Sequence, residues 1–267
     1  MTGSVMTAAS ANERQAADAS PRRVRAAWRS ARALVFQLLG ILIALAVLMV
    51  WLRAADLSAM ELTTLAPAAL WGSTVEHLQL TLLSAVIVLA VAIPAGILLT
   101  RRPLRFLTAP VLALANIGQA APAVGVVVLL AFWLGFGFWA ATVSLVLYAI
   151  LPVLNNTMIG LQQVDSRLVE AGRGMGMSAW AVLVKVELPL AVPVMLSGIR
   201  TAMVLLVGTA ALATFINGGG LGFLIVTGVN LNLPSVLVTG SILVALLALL
   251  IDWVGRVVEH VARPKGI

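Results

Sequence analysis

The chain has 267 residues, of which 61% are apolar and only 10% are charged, and it carries a formal charge of +7 and no cysteine. Soluble domains carry about 25% charged residues, so this composition excludes an ordinary water-soluble enzyme. The lack of cysteine also excludes disulfides, thiolate zinc sites and iron–sulfur clusters.

Four stretches contain no Asp, Glu, Lys or Arg: residues 33–52, 78–100, 106–164 and 201–251. One membrane crossing needs roughly 20 apolar residues, so each of the two longest stretches has room for two crossings. The sequence therefore predicts an all-α membrane protein with about six transmembrane helices, at residues 33–52, 77–99, 111–134, 138–160, 197–215 and 235–255. A signal peptide is the alternative for the first run, but that run is long and follows 32 residues, which favours an uncleaved helix.

All basic residues except Arg53 fall at one end of these helices: in residues 1–32, after helix 2, between helices 4 and 5, and in residues 256–267. Lys and Arg are retained in the cytoplasm during insertion, so both termini are predicted to be cytoplasmic. Residues 1–32 are predicted to form a disordered basic tail, and residues 258–267 a cytoplasmic C-terminal end. Topology thus explains the positive charge, and no nucleic-acid partner is expected.

The third helix is interrupted by prolines, glycines and polar residues between Pro110 and Gly125. This predicts a bent or broken helix, which at membrane depth is stable only against protein or a water-filled cavity. The region is therefore a candidate for lining a passage, together with polar residues of helix 4. The candidate residues are Asn116, Gln119, Pro122, Tyr148, Asn155 and Asn156. Hydrogen bonding between helices is the alternative role, and the sequence leaves both open.

The predicted membrane interior holds no titratable group apart from Asp252, and His77 and His260 are predicted to be interfacial. Ion-driven carriers place carboxylates or histidines inside the bundle, so this pattern disfavours a secondary carrier. No HExxH, GxSxG or GxxxxGK[ST] motif is present. The chain therefore lacks catalytic residues and an energy source of its own, and no enzyme activity, cofactor or metal is expected. A partner must supply the work for uphill transport.

Aromatic residues cluster between Phe132 and Trp139, at the turn between helices 3 and 4. Such rings could bind a quaternary ammonium ion by cation–π contacts. An interfacial aromatic belt is the alternative that we favour. Gly208 on helix 5 is expected to permit close helix packing.

About 35 residues separate helices 4 and 5, and they contain the pattern E-A-G-x3-G-x9-V-x-L-P. The pattern predicts a helix, a glycine turn from Gly172 to Gly176, and an amphipathic helix over Trp180–Val186 that stops before Pro189. A protruding helix–turn–helix suits insertion into a groove on a partner protein. A loop packed only against its own helix ends is the alternative.

This pattern closely resembles the E-A-A-x3-G-x9-I-x-L-P motif of permease subunits of binding-protein-dependent ABC importers. The matching residues are Glu170, Ala171, Gly176, Leu188 and Pro189, whereas Gly172 and Val186 replace Ala and Ile. The resemblance implies a type I ABC importer permease (MetI-like) fold with a cytoplasmic coupling helix between helices 4 and 5. It also implies that residues 172–180 contact the ATP-hydrolysing subunit, with Glu170 and Arg173 positioning the helices.

Residues 71–256 also resemble permeases of the glycine betaine/carnitine/choline type. The supporting pieces are Asn116-x-x-Gln119-x-x-Pro122, Leu147–Pro152, Asn156-Thr157 and Gly219-Gly220-Leu221-Gly222. The implied organisation is a first helix with an external segment over residues 33–70 and a transport domain over residues 71–257.

This second resemblance implies import of an osmoprotectant across a bacterial cell membrane. The implied partners are an ABC ATPase, a separate extracytoplasmic solute-binding protein and a second permease, which is either a copy of this chain or a paralogue. The alternatives are another small solute such as an amino acid, an ion-coupled carrier, and an assembly protein without transport activity.

Overall fold

The structure is a computed structural model that describes residues 32–262. The predicted basic tail and the last residues of the predicted C-terminal end lie outside the described residues. Within residues 32–262 the chain forms helices and connecting segments and no β-strand. The all-α prediction is therefore confirmed.

Eleven α-helices occur in the described part of the chain. They are α1 (Arg32–Ala54), α2 (Ala59–Thr64), α3 (Pro67–Thr100), α4 (Thr108–Ala120), α5 (Ala123–Leu134), α6 (Phe138–Gln162), α7 (Ser166–Gly174), α8 (Ala179–Val182), α9 (Leu188–Ala210), α10 (Gly222–Asn230) and α11 (Pro234–Ala262). Two 3₁₀ segments, Arg102–Leu107 and Ala211–Ile216, and one π-helical turn, Leu183–Glu187, connect some of them.

Five of these helical segments are long and apolar enough to cross a membrane, and the bent α4–α5 pair makes a sixth candidate span. The prediction of about six transmembrane helices is confirmed. Two predicted boundaries are late, because α3 begins at Pro67 and α9 at Leu188. Proline is favoured in the first turn of a helix, and each of these helices begins with one there.

Successive spans run in alternating directions, which gives the bundle two ends. We call one the α7 end; it contains the last turns of α3, α6 and α11 and the segment 163–187. We call the other the α10 end; it contains the first turns of α3 and α6, the loop 217–221 and α10. Arg101, Arg102 and Arg105 lie at the α7 end, directly after α3.

The helices α3, α6 and α9 form the centre of the bundle, and small residues let them approach closely. A Cβ atom added to Gly96 of α3 would lie 2.8 Å from the Cγ2 atom of Thr157 on α6. A Cβ atom on Gly198 of α9 would lie 2.7 Å from the carbonyl oxygen of Pro152 on α6. Glycine at these two positions therefore sets the distance between the central helices.

The first helix packs at the edge of the bundle against α11. Gln37 donates a hydrogen bond of 3.1 Å to the Oδ2 atom of Asp252, and the indole N–H of Trp253 donates one of 2.9 Å to the carbonyl of Leu34. Most of the other side chains of α1 are exposed in the isolated chain. These polar contacts, a further hydrogen bond of 3.2 Å from Gln37 to the carbonyl of Leu249, and the buried side chains of Ile41 and Leu48 fix α1 to the rest of the fold.

An ion-pair cluster joins α9 to α11 beside this contact. Arg200 lies 3.0 Å from Glu259 and 3.6 Å from Asp252, and Asp252 also pairs with Arg256 at 2.8 Å. Gly255 makes room for the aliphatic part of Arg200, since a Cβ atom there would lie 2.8 Å from its Cγ atom. Asp252, which the sequence predicts as the one titratable group of the membrane interior, is therefore paired with basic residues, and these opposite charges compensate one another.

The short helix α2 connects α1 to α3 at the α10 end and begins with a capping box. The backbone N–H of Ser58 donates to the Glu61 carboxylate at 2.9 Å, and the N–H of Glu61 donates to the Ser58 hydroxyl at 3.3 Å. The hydrogen bonds from Ser58 lower the pKa of Glu61. A lowered carboxyl pKa contributes stability above the ordinary glutamate pKa, and this contribution is lost as the pH falls through the lowered value.

Replacement of Gly198 by leucine is expected to destabilise the chain, because the new side chain would overlap α6. Overpacking of this kind costs about 1–3 kcal/mol. The measurement is thermal unfolding of the detergent-solubilised chain followed by circular dichroism.

Gly208 on the same helix supplies the matched control. It is exposed and has no atom within 4 Å of an added Cβ, so the expectation that it permits close packing is wrong within this chain. Gly208→Ala should leave stability unchanged or raise it by about 1 kcal/mol, because alanine favours the helix. Equal melting temperatures for Gly198→Leu and Gly208→Ala would contradict the packing argument.

Candidate functional site

The segment between α6 and α9 forms a helix–turn–helix, and residues of the segment itself cap the start of both helices. The Asp165 side chain accepts a hydrogen bond of 2.9 Å from the backbone N–H of Arg167 at the start of α7. The Ser178 hydroxyl accepts one of 3.2 Å from the N–H of Ala181 at the start of α8. Acidic and hydroxyl residues at these positions satisfy N–H groups that a helix start leaves unpaired.

The turn between α7 and α8 is a Schellman motif with Gly176 at its left-handed position, where φ is +82°. The N–H of Met177 donates to the carbonyl of Gly172 at 3.1 Å, and the N–H of Gly176 donates to that of Arg173 at 2.9 Å. A side chain disfavours this backbone conformation, which explains the glycine of the E-A-G-x3-G pattern.

Gly172, where the related motif has alanine, is buried beneath this turn. A Cβ atom there would lie 3.4 Å from the sulfur of Met177 and 3.4 Å from the Cγ2 atom of Val182. These are ordinary van der Waals distances. An alanine would fit at this position, so the departure from the E-A-A pattern leaves the local fold unchanged.

Residues on the outside of the helix–turn–helix are exposed and mix charge with apolar surface. Glu170, Ala171 and Arg173 are exposed, and Glu170 and Arg173 make no ion pair within residues 32–262. Met175 is 77% exposed and Trp180 is 72% exposed. Large apolar side chains in this position favour docking on a partner over a loop that packs only on itself.

The helix–turn–helix passes into α9 without a break. The N–H of Leu188 donates to the carbonyl of Leu183, five residues earlier, in the π-helical turn. Pro189 has no N–H, so the chain cannot keep the α-helical pattern at this point. The prediction that the second helix stops before Pro189 is therefore wrong, because the wider turn accommodates the proline within the first turn of α9.

An ion pair that the sequence analysis missed holds this junction. Arg101, directly after α3, donates to both carboxylate oxygens of Glu187, with 3.2 Å between Nη1 and Oε1. Glu187 is buried, and its bidentate pair fixes the end of α3 to the start of α9. A clue was present in the sequence, since Glu187 is an acidic residue in the otherwise apolar V-x-L-P part of the pattern.

The predicted irregularity of the third span is confirmed. The helices α4 and α5 meet at an angle of 102° across Ala121 and Pro122. Tyr148 of α6 holds this break, because its hydroxyl donates a hydrogen bond of 3.0 Å to the carbonyl of Ala121. The break is therefore a fixed feature of the fold and packs against protein, as membrane depth requires.

Gln119 completes the contact between the broken helix and α6. Pro152 lacks an N–H, so the carbonyl of Tyr148, four residues earlier, has no intrahelical donor. The Gln119 amide donates to this carbonyl at 3.4 Å. Of the six candidate lining residues, Gln119 and Tyr148 thus bond between helices.

The other candidate lining residues divide into two groups. Asn156 packs against Gly198 and donates to the carbonyl of Pro152 at 2.8 Å, so it belongs to the contact between α6 and α9. Asn116 and Asn155 are exposed in the isolated chain, and so is Pro122 at the break. The exposed residues remain candidates for lining a passage.

The aromatic turn at the α10 end does not form a closed box of rings. Phe132 and Phe136 pack edge to face at 5.9 Å, and Phe138 and Trp139 do so at 5.7 Å. Trp133 is 88% exposed. The exposed rings of Phe132, Trp133, Phe136 and Trp139 agree with the predicted interfacial belt rather than a cation–π site within this turn, whereas Phe138 is half-buried.

His77 is fully buried in α3, so the prediction of an interfacial histidine is wrong at this position. Its Nδ1 atom accepts a hydrogen bond of 3.3 Å from the N–H of Leu221, so its Nε2 atom carries the proton and donates to the carbonyl of Val207 at 3.0 Å. The adjacent Glu76 accepts one of 3.0 Å from the N–H of Gly220. Two neighbouring side chains of α3 thus fix the loop 217–221.

No group of three or more His, Asp or Glu side chains within residues 32–262 could hold a metal ion. Many polar groups of the described bundle are instead engaged in helix contacts, whereas the buried hydroxyls of Ser84 and Thr157 have no hydrogen-bond partner. The geometry supports a scaffold with a projecting docking segment.

The chain resembles known proteins over most of its length. The family described as "Binding-protein-dependent transport system inner membrane component" matches residues 92–263. The glycine betaine/carnitine/choline transport system permease protein OpuCB of Bacillus subtilis is 40% identical over 73% of this chain and 88% of its own length. The choline transport system permease protein OpuBB of the same organism is 39% identical over the same shares.

Two further similarities agree with these matches. The osmoprotectant import permease protein OsmW of Salmonella typhimurium is 36% identical over 73% of this chain and 92% of its own length. A chain from the inward-facing MetNI methionine ABC transporter superimposes with a TM-score of 0.64 and 25% identity, over 73% of this chain and 96% of that one. The MetI-like fold implied by the sequence is confirmed.

Replacement of Gly176 by valine is expected to loosen the end of α7, because a β-branched residue is strained at positive φ by about 1–2 kcal/mol. The measurement is the rate of tryptic cleavage after Arg167 and Arg173 in the membrane-embedded chain. We expect faster cleavage in Gly176→Val and little change in Gly176→Asn, because asparagine tolerates the left-handed conformation. Equal rates for the two variants would contradict the Schellman assignment.

Proposed function

The chain belongs to the family of binding-protein-dependent transport system inner membrane components, and from this premise we propose its function in detail. It is a multi-pass membrane protein and the membrane-spanning permease subunit of an ABC importer. No enzyme activity of its own is indicated, and we infer that ATP hydrolysis takes place in a separate nucleotide-binding subunit.

The observation that carries this proposal is the exposed helix–turn–helix at the α7 end. Met175 and Trp180 offer apolar surface to a groove, while Glu170 and Arg173 offer charges at its edge. We infer that residues 172–180 dock on the ATPase subunit. Two well-formed caps and a Schellman turn keep the segment ordered before docking, which lowers the entropy cost of binding.

The Arg101–Glu187 pair gives this docking a mechanical consequence. Movement of α7 and α8 is carried into α9 through the continuous π-helical turn, and into α3 through the ion pair. We infer that closure of the ATPase subunits shifts these helices together between two arrangements of the bundle. Alternating access follows when the two arrangements open to opposite ends.

A second permease subunit is required to complete the passage. The helix α4 has no buried residue in the isolated chain, and Leu114 and Ile117 on it are 72% and 68% exposed. We infer that α4 and the break at Pro122 face a second copy of this chain or a paralogue. Asn116 and Asn155 are then positioned to line the passage.

We infer that the substrate is an osmoprotectant such as glycine betaine, choline or carnitine, delivered by a separate extracytoplasmic solute-binding protein. The names of the relatives at 36–40% identity support this assignment. An amino acid is the alternative, because the structural neighbour is a methionine transporter. An ion-coupled carrier is disfavoured, since the charges around Arg200 pair with one another and His77 is held by two backbone groups.

We infer that the α7 end faces the cytoplasm of a bacterial cell. The basic residues after α3 and in the helix–turn–helix lie at this end, as the positive-inside rule requires. The α10 end then faces the solute-binding protein. Both termini lie on the cytoplasmic side in this orientation, because six spans return the chain to the side on which it began.

Replacement of Glu170 by lysine is expected to abolish docking, because it reverses a charge at the proposed contact with the ATPase. We expect co-purification with the ATPase to be lost and choline uptake by cells to fall at least about tenfold, which corresponds to about 1.4 kcal/mol.

Asp56→Lys is the matched control for co-purification with the ATPase, since it reverses a charge at the opposite end of the bundle. Unchanged co-purification and uptake in Glu170→Lys, with normal amounts of protein in the membrane, would contradict the coupling role. Uptake that depends on an ion gradient rather than on ATP would contradict the importer assignment itself.

Charge exchange tests whether the Arg101–Glu187 pair transmits movement. Arg101→Glu and Glu187→Arg each leave two like charges in contact, so each is expected to reduce uptake strongly. The double exchange restores an ion pair and should recover a large part of the uptake. The measurement is ATP-dependent uptake in proteoliposomes, and a double variant as inactive as the single variants would contradict the proposed role of the pair.

A further inference from the structure

A polar cavity of about 750 Å³ opens at the α10 end, beside the contact of Glu76 with the loop 217–221. The first turns of α3, the loop after α9, and α10 form its walls, and Phe138 of α6 closes one side. Its volume lies in the range of small-molecule binding sites. In the proposed orientation it faces the side from which the solute arrives.

Glu76 is the only charged residue among those that line this cavity in the described chain. The other polar lining groups are uncharged amides and hydroxyls, such as Gln79, Asn217 and Asn230. A single carboxylate without a basic neighbour gives the cavity a negative potential. It therefore attracts cations and repels anions.

The Glu76 side chain is exposed, and a hydrogen bond from the loop 217–221 orients its carboxylate. Its Oε2 atom accepts the hydrogen bond from Gly220, and a Cβ atom on Gly219 would lie 2.8 Å from it. The neighbouring His77 fixes the same loop through Leu221. Gly219 and Gly220 have φ values of +82° and +90°, so glycine is favoured in the part of the loop that meets the carboxylate.

Aromatic rings complete the set of groups that a quaternary ammonium ion requires. Phe138 and Phe223 both line the cavity. A methylated ammonium ion cannot donate strong hydrogen bonds, so it is bound by carboxylate charge and by aromatic faces. The two phenylalanines and Glu76 are therefore suited to such an ion.

We propose that this cavity is an entry site for solutes with a quaternary ammonium group and that Glu76 pairs with their positive charge. The proposal rests on the importer function proposed above and adds a selectivity to it. A cation such as choline gains more from Glu76 than a zwitterion such as glycine betaine, whose own carboxylate offsets the attraction. Uptake of choline therefore depends on the Glu76 charge more strongly than uptake of glycine betaine.

Cysteine labelling tests the potential of the cavity, because the chain contains no cysteine of its own. The Ser73→Cys substitution places a thiol at the cavity wall with little change of shape. The probes are a methanethiosulfonate with a trimethylammonium group and one with a sulfonate group, applied to the assembled importer in proteoliposomes. Thr63→Cys, on α2 and outside the cavity wall, is the control.

The quantity compared is the rate of modification by the cationic reagent divided by the rate with the anionic reagent. We expect this ratio to be about fivefold higher in the Ser73→Cys variant than in the Thr63→Cys variant. Glu76→Gln should remove this preference, because glutamine keeps the acceptor for Gly220 and loses the charge. Millimolar choline should slow the cationic reaction in the Ser73→Cys variant only. An unreactive thiol in that variant, or a ratio that Glu76→Gln leaves unchanged, would overturn the proposal.

Transport measurements distinguish a binding role of Glu76 from a structural one. We expect Glu76→Gln to raise the KM for choline about tenfold and that for glycine betaine less than about threefold, with both maximal rates retained. If Glu76 only holds the loop 217–221, Glu76→Gln has no effect on uptake, and Glu76→Ala reduces the uptake of choline and glycine betaine equally. That result would overturn the entry site. If the unmodified importer takes up neither solute, the proposed function fails instead.

Discussion

Backbone polar groups inside this bundle must find partners within the protein, because the surroundings of a membrane span offer no water. Pro152 removes the donor for the carbonyl of Tyr148, and Gln119 of the broken helix replaces that donor. The break exposes the carbonyl of Ala121, and the Tyr148 hydroxyl satisfies it. The broken helix thus supplies the donor that α6 lacks at Pro152, and α6 supplies the donor for the carbonyl at the break. These hydrogen bonds join the broken span and α6.

The same constraint explains the two ends of the molecule. At the α10 end, Glu76 and His77 satisfy N–H groups of a glycine loop that has no regular structure. At the α7 end, Glu187 neutralises Arg101 where a π-helical turn enters α9. Between them, Gly96 and Gly198 hold the central helices at close range. The central helices are closely packed, and specific contacts hold both ends of the bundle. Such a bundle can move as a unit when a partner protein acts on it.

Much of the fold could be predicted because its causes are local or compositional. Uncharged stretches predict the transmembrane spans, and the prolines and polar residues around Gln119 predict the broken helix. The spacing from Glu170 to Pro189 predicts the family and the segment that we propose docks on the ATPase. His77 was misjudged, because its position near a helix end says nothing about a loop that lies 144 residues later in the chain and covers it. Gly208 was misjudged as well, because the sequence does not show which face of α9 meets another helix.

The amino-acid sequence alone was enough to establish a polytopic permease, since hydropathy, charge distribution and a spaced motif are properties of the chain itself. Three features depended on the tertiary structure. They are the ion pair of Arg101 with Glu187, the hydrogen bonds by which Gln119 and Tyr148 join the broken helix to α6, and the cavity around Glu76. Each of these joins side chains that are distant in sequence, and helix rotation and crossing decide such contacts. The packing of α3, α6 and α9 fixes that rotation, and no local pattern encodes it.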